Sequence, residues 1–207
     1  MKNVALLVVL SVFLISSCKK GKAEFTLKGT ITDATFNASL TNASVKLYAT
    51  EAGSSATELI ASTSLDAQGN YEFSFPRDMV ETYYLEITKD NYFDIYETIP
   101  FADLTIDDDN VYNLSTTAKA WVRFHISNPG GASTDQLEYV REEGKIDCAE
   151  CCSGGYQYYY GPVDSTFYCV NDGNAVYSGY YWASSGGSGP VWVQTPPFDT
   201  VDITINY

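Results

Sequence analysis

The chain has 207 residues, 45% of them hydrophobic: enough for one large core or two small ones, and too much for a disordered segment. Its 26 acidic against 12 basic side chains give a formal charge of −14, a surface that repels phosphate backbones and argues against a nucleic-acid partner. Seventeen tyrosines against two methionines suit pleated sheets better than helical bundles.

The first element is an address. Lys2 precedes an apolar run from Val4 to Ile15 and then small residues, the layout of a secretory signal and too short for a membrane span. Ile15-Ser16-Ser17-Cys18 resembles the lipobox of bacterial lipoproteins. The resemblance implies a signal peptide over residues 1–17, cleavage before Cys18 and a diacylglyceryl group on its sulfur. Acyl chains such as palmitate, at about 0.8 kcal/mol per buried methylene, would then hold the protein to a membrane. No cofactor is expected beyond this covalent diacylglycerol. Residues 18–24 form a tether in which Lys19, Lys20 and Lys22 can rest on anionic headgroups. Lipoproteins bound for the surface of some diderm bacteria carry an acidic run here. The basic run therefore points to the periplasmic face of the outer membrane, with the cell surface as the alternative.

Residues 25–115 read as a β-sandwich. Phe25, Leu27 and Ile31 alternate with polar residues, as do Val45, Leu47 and Ala49, and polar loops separate the runs. Tyr71, Phe73 and Phe75 share one strand face while Glu72 and Ser74 take the other; Tyr83, Leu85 and Ile87 repeat the pattern. Between the strands, Asp66 to Asn70 supplies a hairpin turn with Gly69 free to take positive φ. These segments, KGTITD, NASVKLYA, TSLDAQGNYEFSF and YYLEITKDNYFD, resemble the carboxypeptidase regulatory-like (transthyretin-like) domain over roughly residues 25 to 95. Asp66, Gly69, Tyr71 and Phe73 are the most specific part of the match. Asn91-Tyr92 departs from the family's closing Gly-Tyr, and the proline before its second strand is missing. The resemblance implies a non-catalytic spacer, accessory or adhesion module.

Related pilin-type sandwiches carry a Lys–Asn isopeptide crosslink promoted by an acid, and Lys28, Glu86 and Asn113 occupy loosely suitable positions. Lys28 falls on the outward face, whereas that chemistry needs a buried lysine. Asp103, Asp107, Asp108 and Asp109 lack the alternating ligands and central glycine of a calcium loop and read as a solvated turn.

Residues 116–207 read as a second small sandwich, making the chain all-β with two antiparallel Ig- or transthyretin-like domains. Val122, Phe124 and Ile126 oppose Trp121, Arg123 and His125 on an opening strand, and Val201 to Tyr207 closes the chain with clean alternation. Phe167–Val170 and Ala175–Tyr177 flank Asp172-Gly173, read as a hairpin, with another strand at Val191–Gln194. His125 is the sole histidine, so zinc sites of the familiar types lack a second one. No nucleophile elbow, phosphate loop or HExxH pattern occurs, and the chain does not read as an enzyme.

Cys148, Cys151, Cys152 and Cys169 imply disulfides in an exported protein. Three pairings exist. Cys169 is expected to join Cys151 or Cys152, with Cys148 taking the other, pinning the loop from Gly144 to Gly155. A Cys₄ zinc site is the alternative, disfavoured by adjacent ligands and export.

Tyr156, Tyr158, Tyr159, Tyr160, Tyr180, Tyr181 and Trp182 cluster beside glycines. Consecutive rings on a strand must face both ways, so some are exposed and able to stack on sugars or anchor a protein. The expectation is a non-enzymatic envelope lipoprotein, held to the membrane by its lipid, that binds or scaffolds a protein partner. The alternative is a glycan-binding lipoprotein using Tyr158, Tyr159, Tyr160, Tyr180, Tyr181 and Trp182. Exposure of these rings on one sheet face favours the glycan; burial favours the protein.

Overall fold

The computed structural model describes residues 23–207. The signal peptide, Cys18 and the lysine run lie outside the described residues. Nine strands come first: β1 (Glu24–Asp33), β2 (Ala38–Ser39), β3 (Ser44–Glu51), β4 (Thr57–Ser64), β5 (Asn70–Pro76), β6 (Val80–Thr88), β7 (Ile95–Pro100), β8 (Asn110–Val111) and β9 (Leu114–Thr116). Seven follow: β10 (Lys119–Asn128), β11 (Gln136–Glu143), β12 (Gln157–Tyr160), β13 (Val163–Asp172), β14 (Ala175–Ala183), β15 (Ser188–Thr195) and β16 (Thr200–Asn206). A 3₁₀ turn at Phe101–Asp103 is the one helical element among the described residues. No helix there is long and apolar enough to cross a membrane.

The protein is all-β, with two hydrophobic cores. In the first, β1 is flanked by β5 and β2 (antiparallel) and by the short β8 and β9 (parallel). This sheet faces the antiparallel order β4-β3-β6-β7. Period-two alternation sends Phe25, Leu27, Ile31, Val45, Leu47, Tyr71, Phe73, Phe75, Tyr83, Leu85 and Ile87 into the space between, each buried. In the second, β13-β10-β16 faces β12-β11-β14-β15. Phe124 lies at its centre, its ring 5.0 Å from Phe167, 5.3 Å from Tyr139 and 5.6 Å from Tyr177. Not every pair is antiparallel: β16 runs parallel to β10 from Trp121–Thr200 to Ser127–Asn206.

Both turns read from sequence as hairpins connect the two sheets of a sandwich instead. β4 pairs with β3 while β5 pairs with β1, so Asp66–Asn70 carries the chain across the core. Gly69 takes φ 79°, its carbonyl accepts from Ile31 N at 2.8 Å, and a Cβ there would sit 2.6 Å from Ile31 O. The turn is thereby docked on β1, which fixes β5 rather than β4 as the partner. Asp66 Oδ1 accepts from the Gln68 and Asn70 amides, both at 2.8 Å. These bonds, Asn70 first, hold its carboxyl below the usual carboxylate range. A depressed native value means that this contribution is complete above the unfolded value of about 3.9 and is lost as pH falls through the native one. Asp66→Asn, which keeps the Oδ1 acceptor, is expected to flatten that part of the acid limb, checked by urea midpoints from about pH 6 to about pH 2.

Likewise β13 pairs with β10 and β14 with β11 and β15, so Asp172-Gly173-Asn174 is a crossing and not a hairpin. The Gly173 amide donates to Ala118 O at 2.8 Å, and a Cβ on it would lie 2.8 Å from Pro197 Cα. Fully buried Thr195 on β15 has its hydroxyl 2.7 Å from Asp172 O and 2.8 Å from Ala175 O, and accepts from Asn171 Nδ2 at 3.2 Å. Thr195→Val removes these hydroxyl bonds, leaving Asn171 Nδ2 with its bond to Val176 O at 3.4 Å, and is expected to cost about 2 kcal/mol in denaturant unfolding.

The segment between the cores is bonded on both sides. Ala118 N donates to Thr35 Oγ1 (2.8 Å), Lys119 N to Asn91 O (2.7 Å) and Phe198 N to Lys119 O (2.8 Å). Thr117 Oγ1 bonds Asp172, which also takes Lys145 Nζ at 2.8 Å. Lys145 Nζ lies 4.3 Å from the Phe93 ring centroid, and Phe198 stacks on Phe36 and meets Tyr92 edge-on. Buried Asp33 anchors this corner, accepting from Thr35 N at 2.9 Å and from Tyr92 O–H at 2.7 Å. Burial, then that bond, pushes the Tyr92 phenol up to about 12.

Candidate functional site

The outer face of the sheet β12-β11-β14-β15 concentrates the exposed aromatic rings. On β11, Leu137, Tyr139 and Arg141 point inward, which turns Gln136, Glu138 and Val140 outward. Ladder register carries that choice to the neighbours: Glu138 is opposite Tyr158 on one side and Trp182 on the other, and Val140 is opposite Tyr180. On β15, Val191 and Val193 pack against the core, so Trp192 between them faces out. The result is Tyr156, Tyr158, Tyr160, Trp182 and Trp192 on one surface at 59, 48, 64, 43 and 69% exposure. Tyr156, Tyr158 and Tyr160 form a ladder with successive centroids 6.5 Å apart and planes within 26°. Tyr180 lies half-buried 4.6 Å from Trp182.

Two of the candidate residues belong elsewhere. Tyr159 and Tyr181 pack against the second core, and Tyr159 stacks on Phe167 at 6.4 Å. The period of two forces this: if Tyr158, Tyr160, Tyr180 and Trp182 face solvent, the rings between them cannot. Trp192 was missed in the sequence, although its position between two valines signals an outward ring.

The charges on this face are carboxylates. Glu138 sits at its centre and Glu143 at one side, within 3.4 Å of Ser178 Oγ. None of the outward residues of the four strands is Lys or Arg. Partial desolvation, followed by the Glu138 carboxylate, raises the Tyr158 phenol above its ordinary value, so this ring stays neutral.

The loop leading into β12 is held from three directions. Cys148 pairs with Cys151 and Cys152 with Cys169, one of the two arrangements left open by the sequence. With all four sulfurs paired, none is free for zinc. The third hold is Arg141, 8% exposed, which donates to Lys145 O at 2.8 Å and Cys152 O at 2.7 Å.

Other candidates do not assemble. His125 Nε2 lies 2.6 Å from Asp164 on the exposed outer surface of the opposite sheet, next to the Arg123–Asp202 pair. Lys28 is paired with Asp109 and partly exposed. Asn113 Oδ1 accepts from Thr30 N, and Glu86 sits on the facing sheet with Lys46 and Tyr48, so the three crosslink candidates do not meet. Among the described residues no group of three His, Cys, Asp or Glu side chains is placed to hold a metal. A cleft of about 670 Å³ at the junction is lined by Phe93, Lys119 and Lys145, the lysines already matched by Glu150 and Asp172.

No family model matches the chain, and no curated protein aligns with it. Among solved structures it is similar to the Bacillus anthracis TIE protein, at 12% identity and TM-score 0.35 over 89% of this chain and 34% of that one. Shaft pilin SpaA from Lactobacillus rhamnosus GG gives 11%, TM-score 0.33, and 90% and 98% coverage. GBS52, the minor pilin of Streptococcus agalactiae, gives 11%, TM-score 0.34, and 88% and 94%. The chain thus spans about a third of the first of these proteins. No functional residue is carried over from them.

Proposed function

We propose that the protein is a non-catalytic, lipid-anchored binding module that holds polysaccharide on the outer face of β12-β11-β14-β15. The observation that carries this reading is the set of exposed rings on one continuous sheet surface. Sugars present flat patches of C–H bonds that stack on such rings and hydroxyl edges that bond to Gln136, Glu138 and Gln194 between or beside them. A buried arrangement would have favoured a protein partner. In this reading the first sandwich, which resembles carboxypeptidase regulatory-like domains, is a spacer, and Cys18 carries the diacylglycerol that fixes the chain to the outer membrane. The periplasmic face is preferred on the strength of Lys19, Lys20 and Lys22.

Affinity electrophoresis of residues 19–207, which include both cores, through gels containing a polysaccharide panel tests the binding. Retardation supports it. Unchanged mobility in every gel removes it and turns the search toward an envelope protein that uses the same rings as interface anchors. The anchor is tested separately in cells fed labelled palmitate, where Cys18→Ser is expected to abolish label on the protein.

A further inference from the structure

We infer that this face selects neutral polysaccharide over anionic glycans, and that Glu138 enforces the choice. The inference rests on the glycan-binding reading above. Among the described residues, Glu138 is the carboxylate that lies between two of the rings, flanked across the ladder by Tyr158 and Trp182. A chain stacked on both rings must pass over its carboxylate. That group accepts hydrogen bonds and donates none, so it pairs with sugar hydroxyls and repels a uronate or sulfate at the same place.

Among the described residues, no cation on this face offsets the repulsion. Glu143 adds a second carboxylate on the rung of Ser178 and Trp192. Arg141, on the same strand, points inward and is spent on the Lys145 and Cys152 carbonyls. Lys145 is held by Asp172, and Arg123 lies on the opposite sheet with Asp202. The whole-chain charge of −14 acts in the same direction. An anionic polymer therefore finds rings without a counter-charge, whereas a neutral one finds rings and acceptors together.

The test uses residues 19–207 with their disulfides formed, in gels at low salt containing neutral glucan, mannan or xylan, or anionic polygalacturonate or alginate. The expected result is retardation by at least one neutral polymer and by neither anionic one. Glu138→Gln is expected to keep neutral binding within roughly tenfold and to gain measurable retardation in an anionic gel, and added salt is expected to relax the wild-type discrimination. Equal retardation by anionic and neutral polymers overturns the selectivity while leaving glycan binding intact. Continued exclusion of anionic polymers by Glu138→Gln overturns the role of Glu138. No retardation in any gel overturns the glycan reading and this inference with it.

Discussion

Replacing Tyr158 and Trp182 together with alanine is expected to weaken polysaccharide binding by roughly 30- to 150-fold, or about 2–3 kcal/mol, taking each ring at about 1–1.5 kcal/mol. The two rings flank Glu138, so the double variant empties the centre of the face while leaving the ladder bonds of β11 in place. Both side chains are about half exposed, and neither belongs to the second core. Their loss is expected to move unfolding free energy by no more than about 0.5 kcal/mol. Tyr96→Ala and Tyr168→Ala serve as controls: both rings are exposed, but on β7 and on β13 of the opposite sheet. If these controls weaken binding as much as the double variant, binding is diffuse and the face is not the site. Isothermal titration with a soluble oligosaccharide of the retarding polymer would give the ratio directly.

Removing the Cys152–Cys169 bridge is expected to cost about 3 kcal/mol, against about 1.6 kcal/mol for Cys148–Cys151, from the loop-closure entropy of bridges 17 and 3 residues apart. The larger bridge also matters for position. Cys169 is fully buried on β13, and Cys152 packs against the same core, so the bond ties the approach to β12 onto the facing sheet. β12 itself is held to β11 by just four register pairs. Cys152→Ala with Cys169→Ala is therefore expected to raise hydrogen exchange at the amides of Gln157 to Tyr160 and to weaken glycan binding along with stability. Cys148→Ala with Cys151→Ala is expected to spare both the exchange rates and the binding. Equal behaviour of the two pairs would mean that β12 holds its place without the bridge.

The strands were legible wherever one face is buried and the other wet. Phe25-Leu27-Ile31 and Val122-Phe124-Ile126 announce themselves through alternation, and their burial follows it residue by residue. What could not be read was which strand each turn delivers to which ladder. Gly69 and Gly173 mark reversals of the chain, yet a reversal within one sheet and a crossing between two need the same local turn chemistry. The decision came from distant groups, Ile31 for one turn and Ala118 and Pro197 for the other. The tyrosine run posed a related difficulty. Four of the five residues from Tyr156 to Tyr160 are tyrosine, which fixes that rings alternate but not which ones face out. Leu137 and Tyr139 settle that from the next strand. The junction was invisible for the same reason, since Phe36 and Phe198 lie 162 positions apart and meet only once both sandwiches exist.

The bonded junction also decides how the molecule carries tension. β1 enters at Glu24, far from the junction, and reaches it at Asp33 after ten residues, or about 33 Å. β10 leaves the junction at Lys119 and runs ten residues to Asn128, away from it. If the N-terminus is tethered and a polymer is held on the outer face, as proposed, a pull between them is expected to load the seven rungs between β1 and β5 side by side rather than one after another. It then crosses a joint stitched by backbone amides on both sides of Ala118. Such a chain is expected to yield cooperatively under force, behaving as a stiff link and not as a hinge.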